Sequence, residues 1–151
     1  INKLWRDAQL FLKDGNTFGL YGVLFVEDGK ILLPSGLHLR YDDLQFTTTD
    51  KGVEFDYKTR RGRVRIYGGK IIENVCQAIA RCIIGEQMLQ IAKRYRVVLT
   101  VHDSIACCVK DEEVDEAQEY IEECMRQPPE WAEGLPIDCE SGKGKSYGEC
   151  E

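Results

Sequence analysis

His102, Asp103 and Ser104 form a polar island inside the apolar stretch 97–109, VVLTVHDSIACCV. The runs on either side, 97–101 and 105–109, have strand length and are rich in β-branched residues, which reads as two buried strands. A short polar connection between two strands reads as a hairpin, with Asp103 at or beside its tip and core on both sides. A carboxylate that close to apolar packing is costly unless it is hydrogen-bonded, paired or bound to a cation. Asp is also common in ordinary tight turns. Spacing alone leaves both readings of Asp103 open.

Other residue groups with chemical potential read less sharply. Glu73, Asn74, Gln77 and Arg81 fall on the less apolar side of a helical pattern over 70–96, at spacings of three and four that share one surface. A mid-helix amide is ordinarily a solvated residue, so Gln77 alone carries little. Lys58, Arg60, Arg61, Arg63 and Arg65 form a basic cluster, read either as a solvated sheet face or as backbone contact to a polyanion. Asp111, Glu112 and Glu113 suit the positive end of a helix better than a metal cluster. Gly144-Lys145-Ser146 looks like the end of a phosphate-binding loop, but Cys139 stands where its first glycine belongs, so that reading is rejected.

These residues need elements to position them. Residues 1–14 read as a packing helix closed by Gly15, followed by a loop over 16–22 with aromatic anchors. Residues 23–26 and 30–33 read as strands around an Asp28-Gly29 turn. Pro34-Ser35-Gly36 makes a second turn, and 37–41, 44–49, 53–57 and 63–67 continue an antiparallel meander. The helical pattern over 70–96 has a wide apolar stripe and reads as core. Residues 111–126 read as an amphipathic helix with Val114, Ala117, Ile121, Cys124 and Met125 inward, ended by Pro128-Pro129. A final strand is expected over 135–140.

The 151 residues suffice for a real core. The net charge of −6 argues against a general nucleic-acid coat but allows a local basic surface. The acids are concentrated over 111–123. Seven cysteines without a CxxC pair, and only two histidines, argue against structural zinc. Cysteines on apolar faces favour a reducing, cytoplasmic compartment. No signal peptide is recognisable, and no apolar run is long enough to cross a bilayer. A start at Ile1 rather than Met reads as a piece of a longer or processed protein.

The order of these features resembles the C-terminal part of a family A DNA polymerase, and phage members in particular. LPSGLHLRY precedes YGGKIIENVCQAIARCII on a long helix, then come VVLTVHDSI, an acidic helix, a Pro-Trp element and a closing SYG. The resemblance covers most of the chain from about Leu33 onward, and its specific part is the Gln-bearing helix followed by the His-Asp hairpin. It implies an α+β fold: an antiparallel palm sheet with the His-Asp hairpin, backed by a long helix and a second amphipathic helix. Residues 1–69 would join fingers to palm and form the meander, and 70–151 would be the C-terminal palm subdomain. It further implies template-directed nucleotidyl transfer with primer-template DNA and deoxynucleoside triphosphates as partners and Mg2+ as cofactor. By the same resemblance, Asp103 is a catalytic metal carboxylate and His102 contacts the primer terminus. Gln77 reaches the minor groove near the nascent pair, and Arg40 contacts phosphate.

The chain departs from the family at several positions. Ser104 stands where Glu is usual, and Cys82 where Asp is common. Glu73 takes a position often held by Asn, and Leu37 and His38 replace basic residues after the turn glycine. The family's first palm carboxylate and its nucleotide-binding fingers helix have no counterpart here. The chain alone is therefore expected not to polymerise DNA, and to need the remaining N-terminal part on the same or a separate polypeptide. Two rival readings accompany this one. The first is a non-catalytic nucleic-acid-binding or assembly module, favoured by Ser104. The second is a thiol-redox protein using Cys107-Cys108, disfavoured by the missing CxxC.

Overall fold

In a computed structural model of the chain, the structure describes Ala8, Leu12 and residues 25–27, 30–50 and 52–150. The helix expected over 1–14, apart from Ala8 and Leu12, lies outside these residues. So do the loop 16–22, the Asp28-Gly29 turn and Lys51. Ala8 and Leu12 are helical and buried. The chain forms two compact units, 1–79 and 80–151. The architecture is α+β, with antiparallel sheets and, beyond the helical Ala8 and Leu12, two helices among the described residues. No helix among the described residues is long and apolar enough to cross a membrane.

The first unit holds two three-stranded antiparallel sheets. Strands β1 (Phe25–Glu27), β2 (Lys30–Leu32) and β3 (His38–Arg40) pair in sequence order. Leu33 and Gly36 close the β2–β3 turn, with Gly36 at φ +80. Strands β4 (Gln45–Thr49), β5 (Gly52–Thr59) and β6 (Gly62–Ile66) form the second sheet. Alternation along β5 puts Val53, Phe55 and Tyr57 on one face and Glu54, Asp56 and Lys58 on the other. Phe55 and Ile66 stand opposite each other and are buried. The link from β3 is fastened by Tyr41, whose ring meets Tyr57 edge-on at 5.2 Å and whose hydroxyl accepts a hydrogen bond from Asn74 Nδ2 at 3.1 Å.

Helix α1 (Gly68–Ile91) begins in the first unit and ends in the second. Ile71, Val75, Cys82, Gln87 and Ile91 are buried at helical spacing. The helix stops short of the expected residue 96. The amides of Lys93 and Arg94 donate three residues back, to Gln90 and Ile91, and this tightened turn leads Tyr95 into the core.

The second unit packs the hairpin of β7 (Arg96–Val101) and β8 (Ser104–Cys108) and the helix α2 (Val114–Arg126) around Ile91, Tyr95, Ala117 and Cys124. A short 3-10 turn over Asp111–Glu113 precedes α2. The expectation of a hairpin buried on both sides is corrected. Val97, Ile105 and Cys107 pack on the core, but Val98, Leu99 and Val101 are 48, 42 and 40% exposed. A register shift between Val97 and Leu99 explains this. One extra residue breaks the inside-outside alternation, so Val97 and Thr100 become the less exposed positions while Leu99 and Val101 face outward.

The strand expected over 135–140 is also absent from the structure. That segment places its polar groups against α2 and the 3-10 turn before it instead. Asp138 pairs with Arg126, Ser141 bonds Glu122 and Gln118, Lys143 pairs with Asp115, and Lys145 pairs with Asp111. These contacts tie the tail along the helix.

Candidate functional site

Val101 and Ser104 are the last paired residues of the β7–β8 hairpin, so His102 and Asp103 make up the whole turn. His102 takes φ +53, left-handed backbone at a turn position that glycine ordinarily supplies. A side chain held there costs on the order of 1–2 kcal/mol, and such strain concentrates where function demands a geometry. Asp103 is exposed, and among the described residues nothing pairs with or hydrogen-bonds its carboxylate. A strained residue thus holds a bare carboxylate at the end of a hairpin, with one face of that hairpin fixed to the core.

Among the described residues, no group of three or more His, Cys, Asp or Glu side chains could hold a metal ion. What the hairpin tip itself presents is one exposed carboxylate, Asp103. That fits Mg2+, which takes one or two carboxylates and completes its shell with waters and substrate phosphates. Ser104 opens β8, exposed, and adds no charge. Cys82, which stands where Asp is common in the family it resembles, is buried in the core.

Gln77 and Arg40 lie in the first unit. Gln77 is exposed on α1, and its Nε2 donates to Glu73 Oε1 at 3.4 Å, a long and weak bond. Lys70 donates to the same oxygen at 2.6 Å. Lys70, Glu73, Gln77 and Arg81 thus make a polar stripe, while Asn74 turns to Tyr41 and leaves it. Arg40 is exposed on β3, directly opposite Lys30 on β2. Like charges in that register repel unless an anion lies between them. The four candidate residues therefore form two groups, His102 with Asp103 in one unit and Arg40 with Gln77 in the other.

Sequence reasoning missed how the basic cluster is used. Arg63 donates to the carboxylates of Asp56 and Asp43, and to the carbonyls of Asp43 at 2.8 Å and Asp56 at 3.2 Å. These bonds, with one from Gln45, hold the Asp43 carboxyl below its usual range. Arg65 pairs with Glu54 at 2.8 Å. The signal was present in the strand alternation, which sets Glu54 and Asp56 on the same face as Arg63 and Arg65. Burial, aided by neighbouring Cys108, pushes the Cys107 thiol up, the opposite of what a reactive thiolate needs.

The fold defines an α+β protein of antiparallel sheets and two helices, with a carboxylate at a hairpin tip. Over 138 residues the chain is 33% identical to a DNA polymerase of Bacillus phage SP02, an alignment covering 83% of this chain and 20% of that protein. The chain thus spans about a fifth of the length of the polymerase it matches. No protein-family model and no solved structure matches it. The chain is thus similar, over most of its own length, to a part of a phage DNA polymerase.

Proposed function

We propose that this chain is the C-terminal palm portion of a family A DNA polymerase, supplying one of two catalytic metal carboxylates and part of the grip on the primer end. The observation that carries the reading is the His102-Asp103 turn, a strained histidine beside an unpaired carboxylate, in a chain similar to a phage DNA polymerase. Asp103 is the metal ligand, and the second carboxylate comes from outside the described residues, on the same or a separate polypeptide. Bound Mg2+ would favour loss of the proton from the primer 3′-hydroxyl and offset charge on the departing pyrophosphate. His102 orients the primer terminus. Gln77 donates to minor-groove acceptors, which every base pair presents, and so checks pair geometry more than sequence. Arg40, set against Lys30, takes a backbone phosphate and thereby relieves their repulsion.

Primer extension tests this. The chain is combined with the part of the polymerase bearing the other carboxylate, primed template, magnesium and deoxynucleotides. Extension that depends on Asp103 supports the assignment, and extension unchanged by Asp103→Ala sinks it. Ser104 and the lone carboxylate favour a second reading, a non-catalytic nucleic-acid-binding module. Magnesium-independent duplex binding with no extension in any combination would establish that reading instead.

A further inference from the structure

We propose that the tip of the β5–β6 hairpin, Arg60 and Arg61, is a separate contact point for the phosphodiester backbone of duplex nucleic acid, an inference that rests on the polymerase-like reading above. Five cations crowd this hairpin, and the structure divides them. Arg63 is committed to four oxygens of Asp43 and Asp56, and Arg65 to Glu54. Lys58 stands opposite Arg63, and its charge also acts on Asp43. These three cations face three carboxylates, Asp43, Glu54 and Asp56, and the charge there balances. Arg60 and Arg61 are the surplus. Both are exposed, and among the described residues no carboxylate pairs with either.

The tip is also held in shape. Thr59 and Gly62 are paired, leaving Arg60 and Arg61 as the entire turn. Thr59 Oγ1 accepts a bond from the Arg61 amide at 3.2 Å and donates to the Gly62 carbonyl at 2.7 Å. Gly62 takes φ +122, where a side chain would be strained. Because the turn's backbone is bonded internally, the two guanidiniums are left to an outside partner. Arginine forks match phosphate oxygens in a bidentate way. On a chain of net charge −6, an unpaired arginine pair makes a local positive site that suits a polyanion. Backbone contact carries no sequence information, as an enzyme that copies any template requires.

The test measures binding of the full chain to a defined DNA duplex from about 50 to about 200 mM salt, for wild type, Arg60→Ala/Arg61→Ala and Arg65→Ala. Each phosphate contact contributes about 0.9 to the slope of log affinity against log salt. The double variant is expected to lower that slope by about 1.8, so that its affinity falls about 12-fold less across the range. Arg65→Ala is expected to leave the slope unchanged, and thermal melting should show all three proteins folded. An unchanged slope in the double variant overturns the proposal, as does an equal drop in Arg65→Ala. Tighter binding of wild type to anionic lipid vesicles than to duplex also overturns it, in favour of a membrane surface. The slope is read without nucleotide incorporation, so the tip can stand even where Asp103→Ala leaves extension intact, and can fail while extension depends on Asp103.

Discussion

At the scale of single residues, the proposed role of His102 sets function against stability. Its left-handed backbone costs on the order of 1–2 kcal/mol, which glycine would not incur, although glycine adds freedom to the unfolded chain. His102→Gly is expected to raise unfolding free energy by up to about 1 kcal/mol in urea titration while reducing primer extension. A loss of stability of that size would show that the imidazole is a structural prop. Gln87 presents the opposite case. It is 3% exposed, and its Nε2 donates to the carbonyl of Met125 at 2.6 Å and that of Gln127 at 3.4 Å, closing the end of α2. Gln87→Leu takes the donor from the Met125 carbonyl and should cost about 1 kcal/mol by the same titration. The place of Asp103 was legible because apolar runs bracket it. The role of Gln87 was not, since its partners lie 38 and 40 residues away.

At the scale of elements, short strands and their turns were readable from alternation and from Gly, Pro and Asp. The irregularities were not. The bulge in β7 leaves no mark in a uniformly apolar run, yet it decides which of Leu99 and Thr100 faces outward. Residues 135–140 looked like a strand, but the charges from Asp138 to Lys145 answer those of α2 and the 3-10 turn before it. Hydrogen bonds from Ser141 and Arg126 hold Glu122 below its usual range, and Arg126 does the same to Asp138. Carboxyls depressed in the folded state stabilise it fully above their unfolded values of about 4.5 and 3.8, and that contribution disappears as pH falls through the folded values. Acidification below about pH 4 should therefore release the tail from α2 first. After correction for the intrinsic pH dependence of exchange, amide protection over 138–145 would fall while Ile91 and Val97 stay protected. Protection of the tail at pH 3 equal to that at pH 7 would contradict this.

At the scale of the whole molecule, an overall charge of −6 conceals an acidic helix in one unit and a surplus-arginine hairpin in the other. The helices over 68–91 and 114–126 followed from periodicity, and the α+β class from the resemblance carried by the order of the elements. No metal site was legible in the same way, since a two-metal centre would draw carboxylates from distant parts of a chain, and among the described residues no three His, Cys, Asp or Glu side chains gather to hold an ion. Asp103 is the carboxylate on which the proposed chemistry turns. The most direct measurement is the magnesium dependence of primer extension for Asp103→Asn, a near-isosteric change that removes the charge and spares the turn. Loss of a metal ligand should cost more than the roughly 10- to 100-fold typical of outer-shell partners, so extension should fall by over about 100-fold with duplex binding retained. Extension at the wild-type rate with an unshifted magnesium requirement would contradict the account.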